Sequence, residues 1–348
     1  MRFPVAVAGV GLVTRLGDRP EEVVAAPGEG RDVAPGPVDF DPAARFGDRN
    51  YRPLDRTGQL TVAAVEACLG SLAALPARRR IGLVVGTAFG SVATIASFDR
   101  RAQSAGPIYA KPLDFANSVI NAAAGQAAIW LDLQGVNATC CGGTSSGLLA
   151  LLYGADLLRG ERADLVVAGG VEEHCEEIVR TTEAAGWIPT DRLGEAAAFF
   201  ALLPDYSGAP VRILGGATRA APGTGADGEV LAAALGRAMA AAVREAQVDR
   251  EAIRAVSAGT GGGSDTDAWE RQALASWDGD LSRFEIKRST GECLGASAAL
   301  QLLPFWAWSR GGVVAGWPDD GDALVGLVTS VDRRGVVAAA VVEARRGR

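Results

Sequence analysis

Histidine is nearly absent: 348 residues contain one, His174. Chemistry that needs a pair of imidazoles is therefore excluded. The five cysteines, Cys68, Cys140, Cys141, Cys175 and Cys293, are odd in number and fit no zinc spacing. Reduced thiols, no metal and no cofactor are expected. No apolar run reaches the roughly 18 residues of a membrane span, and Met1-Arg2-Phe3-Pro4 leads directly into a strand-like run. A cytoplasmic protein with no membrane partner is the expectation. Basic charge is also short: 34 Lys and Arg stand against 41 Asp and Glu, a net charge of −7. That balance does not suit nucleic acid, which is held through Lys and Arg contacts to phosphate.

What is present is apolar and small. Hydrophobic residues make up 48% and glycine supplies 45 positions, enough for a large, closely packed core. Short buried runs read as strands at Val5–Val13, Arg80–Thr87, Val136–Cys141 and Ala163–Gly170. Helical spacing appears over Thr57–Leu72, Leu113–Leu131 and Leu148–Arg159, and residues 27–53 read as an irregular loop. After Asp205 the pattern restarts, with strands at 211–216, 253–259, 324–330 and 336–342 and helices at 230–248 and 295–308. Alternation of this kind predicts an α/β architecture with buried sheets. It also predicts an internal duplication with halves at 1–205 and 206–348. The run Arg78-Arg79-Arg80 reads as a solvated turn before a strand.

The segment Cys140–Gly147 (CCGGTSSG) carries the most information. A strand enters, a small-residue turn follows and a helix leaves, which is the layout of a nucleophile elbow. Such a turn presents one side chain at a helix N-terminus, where free N–H groups and the helix dipole favour an anion.

With this segment in view, the chain resembles the β-ketoacyl synthase family. VAVAGVGLVTRLG resembles the family's first strand and turn, and PLDFANSVINAAAGQAAIWLDLQG its dimer-interface helix. GVNATCCGGTSSGLLALLYGADLLRGERADLVVAGGVEE resembles the nucleophile region. LGEAAAFFALL resembles the segment that ends the first half, and KRSTGECLGASAAL the lysine loop and following helix. The matches run in order along nearly the whole chain. They imply a thiolase-like fold, two duplicated halves in an αβαβα layering.

The resemblance also implies lost catalysis. The family's nucleophilic cysteine falls on Thr144, whose hydroxyl is a poor nucleophile without a base. The place of the first family histidine falls on Gly259, within VSAGTGGGSDTD, or is deleted; the second falls on Glu292. A charged Glu292 opposes chemistry that builds an enolate. The family's lysine is kept as Lys287, and a Lys287–Glu292 pair is the plain structural reading of Glu292. The gating loop, which in the family holds a phenylalanine and supplies an oxyanion N–H, appears as Ser330–Gly335 without one. GTGGGSD is explained by that family loop better than by a phosphate-binding loop.

Degenerate members of the family, the chain-length factors of type II polyketide synthases, lack the active cysteine and pair with an active ketosynthase. They usually carry Gln where this chain has Thr144. The resemblance thus implies a non-catalytic subunit, with an active ketosynthase and a carrier-protein-bound acyl chain as partners. The short chain fits systems that make polyenes or other highly reduced chains. The helix 112–125 would lie at the interface, with Phe115, Ser118, Val119 and Ala122 setting tunnel length. Two alternatives stand beside this. One is a self-sufficient acyltransferase using Cys141, with His174 as a conceivable base. The other is a scaffold that recruits acyl carrier protein, for which the arginine run would be a docking face.

Overall fold

The computed structural model describes residues 3–25, 34–221, 227–277 and 281–347. Its strands among the described residues are β1 (Val5–Thr14), β2 (Ile81–Gly86), β3 (Asn137–Cys140), β4 (Leu165–Glu172), β5 (Ala196–Pro204), β6 (Val211–Ala220), β7 (Ile253–Ser257), β8 (Ser282–Phe284), β9 (Ala323–Val331) and β10 (Val336–Arg345). They form one continuous sheet in the order β3-β2-β4-β5-β1-β6-β10-β9-β7-β8. β2 pairs in parallel with β3 and β4, and β7 in parallel with β8 and β9. The remaining pairs are antiparallel, including the short contact of Val5–Val7 with Val211–Ile213 that joins the two sets of five. Read outward to inward, the first set runs third, second, fourth, fifth, first. The second set, β8-β7-β9-β10-β6, repeats that order.

The layers follow from which faces are apolar. Helices Arg56–Gly70 and Ala122–Leu131 cover the outer face of the first five strands, and Gly228–Ala246 with Thr266–Ala275 covers that of the second five. Ser146–Arg159, Ser297–Leu300 and Leu303–Ser309 lie between the two. This is the αβαβα arrangement expected from the sequence. β5 shows why its sequence is apolar throughout. Ala198, Phe200 and Leu202 enter the central core, while Ala197, Phe199 and Ala201 enter the outer one. Successive side chains of a strand point to opposite faces, so a strand covered on both sides is apolar at every position. The central layer is tight. A Cβ on Gly147 would come within 2.7 Å of the backbone nitrogen of Ala299, so glycine there is what lets the two central helices meet.

Two long predicted helices are broken. The helix expected over 113–131, and with it the interface helix 112–125, is Pro112–Ala116 followed by Ala122–Leu131, with a turn between. Asn117 and Ser118 cause the break. The Asn117 amide donates to Pro53 O at 2.9 Å, and the Ser118 hydroxyl to Phe115 O at 2.7 Å. Short polar side chains compete with helical bonding in this way. The helix expected over 295–308 divides into Ser297–Leu300 and Leu303–Ser309, with Pro304 in the first turn of the second, where its missing N–H costs nothing. In the loop expected over 27–53, residues 27–33 lie outside the described residues. The rest holds the short helix Pro42–Phe46, capped by Asp41.

Candidate functional site

β3 delivers the chain into the elbow, and the helix Ser146–Arg159 carries it away. Gly143 makes the turn at φ +60°, a conformation that disfavours a side chain. Ser146 ties the turn together: its hydroxyl donates to Gly143 O at 2.7 Å and accepts from Gly142 N–H at 2.9 Å.

The hairpin tip between β9 and β10 lies directly on this elbow. The Thr144 hydroxyl donates to Val331 O at 2.9 Å, and the Thr144 N–H donates to Asp332 Oδ2 at 3.0 Å. Ser145 Oγ meets Ser330 Oγ at 2.9 Å. Asp332 is only 4% exposed. Its other oxygen accepts from Arg334 N–H at 2.9 Å and from the Arg334 side chain at 3.2 Å. Beside it, the Arg333 guanidinium lies over the Trp187 ring at 4.8 Å and faces Asp265 at 3.6 Å. The cleft that remains among Thr144, Phe89, Trp187, Leu294, Asp332 and Arg333 has about 30 Å³ of space. That is room for a water or two, not an acyl chain.

Deeper in, Lys287 and Glu292 form the pair expected from the sequence. Lys287 Nζ lies 2.5 Å from Glu292 Oε2, and both side chains are buried. Burial works to lower the lysine pKa, but the charge and hydrogen bond of Glu292 outweigh it and raise it overall. The other Glu292 oxygen accepts from Ser297 Oγ at 2.6 Å and from Leu294 N–H at 2.9 Å. Leu294 is held at φ +45°, a strained conformation for a bulky residue, and Glu292 secures it.

Gly259 is equally committed. Its N–H donates to Glu270 Oε1 at 2.7 Å, and a Cβ at this position would sit 2.8 Å from Glu270 Oε2 and 3.2 Å from Thr329 O. A second bond to Glu270 comes from Thr329 Oγ1 at 2.6 Å. Burial pushes the Glu270 carboxyl up to about 7. Glu172 crosses between the central helices and the first half. It accepts from Ala88 N–H at 2.6 Å, Phe89 N–H at 3.0 Å and Gly295 N–H at 3.0 Å, and burial raises it to about 7.

The structure thus brings Thr144 against the loop 330–335, Lys287 against Glu292, and Gly259 against Glu270. It does not join Cys141 to His174. The thiol of exposed Cys141 points to Ala88 O at 3.5 Å, while His174 donates its backbone N–H to Glu195 at 3.2 Å. Neighbouring Cys140 is pushed up to about 11, first by burial and then by the adjacent Cys141. Phe115, Ser118, Val119 and Ala122 are spread over two helices and the turn between them. Phe115 and Val119 are exposed, and Ala122 is buried.

Sequence reasoning missed Asp332 and Glu270 as participants. Glu270 had a usable signal, since it stands three residues after Asp267 on a helix that follows the glycine loop. Asp332 had only an indirect one: it lies in the loop Ser330–Gly335 that the resemblance marks as the gate, but its own contact with Thr144 spans 188 residues.

Residues 19–201 match the family model described as the β-ketoacyl synthase N-terminal domain. The oxytetracycline polyketide putative beta-ketoacyl synthase 1 of Streptomyces rimosus is 29% identical over 308 aligned residues, covering 76% of this chain and 71% of that protein. The ishigamide ketosynthase/chain length factor superposes with a TM-score of 0.80 at 26% identity, over 99% of this chain and all of that one. A β-ketoacyl synthase from Burkholderia phymatum superposes with a TM-score of 0.82 at 22% identity, over 99% of this chain and all of that one. A type II polyketide synthase ketosynthase solved with its acyl-carrier protein reaches 0.80 at 19%, with both chains fully covered, a likeness of fold. With a family model spanning more than half its length and a fold shared from end to end, this chain belongs to the β-ketoacyl synthase family.

Proposed function

We propose that this chain is the non-catalytic, chain-length-factor subunit of a ketosynthase heterodimer. The observation that carries the reading is the filled elbow. A threonine stands where a nucleophile would, its hydroxyl and N–H are both used by the 330–335 hairpin, and the space left is about 30 Å³. Glu292 is locked to Lys287, and Gly259 has no room for an imidazole beside Glu270. Thr144, Gly259 and Glu292 are thus read as degenerate catalytic positions, with Lys287 retained as a structural cation.

The partner role draws on the surface. Ile108, Tyr109, Leu113, Phe115 and Val119 are large apolar side chains exposed along one stretch, with Ile108 at 87%. Among the described residues β3 is an edge of the sheet, with open backbone groups on one side. An exposed apolar stretch and an open sheet edge each suit a large permanent interface. The ishigamide protein is described as a ketosynthase/chain length factor, and the same pairing is proposed here, with carrier-protein-bound acyl chains reaching the partner's cysteine. Phe115, Ser118, Val119 and Ala122 would then shape the far wall of the acyl tunnel, in a cytoplasmic complex that makes highly reduced chains. The repeated strand order supports a division into halves at 1–205 and 206–348.

Exposure of the Cys141 thiol favours a second reading, a self-sufficient acyltransferase. Co-expression with candidate ketosynthases, followed by size-exclusion chromatography and acyl-thioester labelling, separates the two. A heterodimer that takes label only on the ketosynthase supports the first. An active homodimer labelled on Cys141 overturns it.

A further inference from the structure

The elbow holds more than a missing thiol. Where a thioester carbonyl reacts at a helix N-terminus, its oxygen becomes an anion and needs the elbow N–H as donor. Here that N–H is already given, at 3.0 Å, to the carboxylate of Asp332. The carboxylate is not a passing surface group. It is buried, it is anchored by two bonds to Arg334, and its backbone is set by the hairpin, with Asp332 N–H to Val336 O at 2.8 Å. The turn is also shaped around it, since a Cβ on Gly143 would stand 1.8 Å from Asp332 Oδ2.

We propose that Asp332 is a built-in occupant of the elbow's oxyanion position, which bars this chain from accepting an acyl group at residue 144 independently of the Thr144 hydroxyl. The inference rests on the non-catalytic reading and deepens it. A carboxylate oxygen hydrogen-bonded to the elbow N–H sits where a tetrahedral intermediate would place its own negative oxygen. The two cannot share one donor, and their charges repel. The other charged groups facing the elbow are Arg334, paired with Asp332 itself, and Arg333, engaged with Trp187 and Asp265.

The test restores the nucleophile and asks two questions of it. In the Thr144→Cys chain, the thiolate attacks the CH₂ carbon of iodoacetamide: an S–CH₂ bond forms, iodide leaves, and no oxyanion arises. A short acyl-N-acetylcysteamine thioester is instead attacked at its carbonyl. The oxyanion forms, then collapses to release the N-acetylcysteamine thiol and leave the acyl group on Cys. Both modifications are followed at residue 144 by peptide mass spectrometry. Thr144→Cys alone should alkylate but acylate very slowly.

Adding Asp332→Ala should raise acylation at least tenfold more than it raises alkylation, because a freed oxyanion donor is worth about a hundredfold or more. Asp332→Asn keeps the shape and removes the charge, so it should give a smaller rise of the same selective kind. It decides the matter if the alanine variant does not fold. Equal rises in both reactions would reduce Asp332 to a steric cover, and no rise in either would remove its role; both results overturn the proposal. Labelling at Cys141 in the unaltered chain would instead strike the non-catalytic reading, so the two failures are distinguishable.

Discussion

Lys287 and Glu292, five residues apart in sequence, form a buried ion pair at 2.5 Å in the centre of the molecule. Leu294 N–H and Ser297 Oγ complete the carboxylate's bonding. Such a pair holds a unique geometry more than it adds stability, and removing one partner leaves an uncompensated charge. Glu292→Gln should therefore cost about 3–5 kcal/mol, while the double change Lys287→Met with Glu292→Leu should cost far less. Urea unfolding of the single and double variants measures this. Near-additive losses would show that the pair is not coupled.

Three buried glutamates predict an unusual pH response. Burial raises Glu172, Glu173 and Glu270 to about 7, from an ordinary value of 4.5. Between these values the folded chain holds protons that the unfolded chain has lost. Stability is therefore highest below about pH 4.5 as far as these groups decide it, falls as pH rises to 7, and levels above that. Asp164, Glu285 and Asp320 are lowered instead and act at still lower pH. Melting temperatures from pH 5 to 8 should fall, and Glu270→Gln should flatten the curve. An unchanged slope in that variant would count against the assignment.

Gly143 and Asp332 should behave as a coupled pair. Gly143→Ala meets strain of about 1–2 kcal/mol from its φ of +60° and a collision with the Asp332 carboxylate. In an Asp332→Ala background the strain should remain, with only the Arg334 guanidinium, the far end of a flexible side chain, left to move aside. A double-mutant cycle by thermal melting reads the difference. Equal costs in the two backgrounds would show that the carboxylate does not press on the turn.

The partner reading predicts that Phe115→Asp and Ile108→Asp abolish co-elution with an active ketosynthase. Both side chains are exposed in the isolated chain, at 64% and 87%, so neither change should lower its melting temperature. Co-elution that survives both would place the interface elsewhere.

Tunnel shaping predicts that Ser118→Trp or Val119→Trp, in the reconstituted pair, shortens the product chain as read by mass spectrometry. Product length unchanged by every such replacement would remove these residues from the tunnel wall.

Much of this protein was legible in its sequence because the determinants are local. Short β-branched apolar runs such as Ile81–Gly86 read as covered strands, and Gly-punctuated repeats of strand and helix give the layered class. The Thr144 elbow, Lys287 and Glu292 could likewise be located, because each sits in a short motif of fixed spacing. Two helices were over-extended because Asn117, Ser118 and Pro304 act through single contacts and positions that apolar periodicity ignores. Only the tertiary structure decided what fills the elbow. Asp332 reaches Thr144 across 188 residues, through a hairpin set by β9 and β10 on the opposite half, and Glu270 closes on Gly259 from a separate helix. Contacts of that range depend on how the layers stack, and no local pattern of residues encodes them.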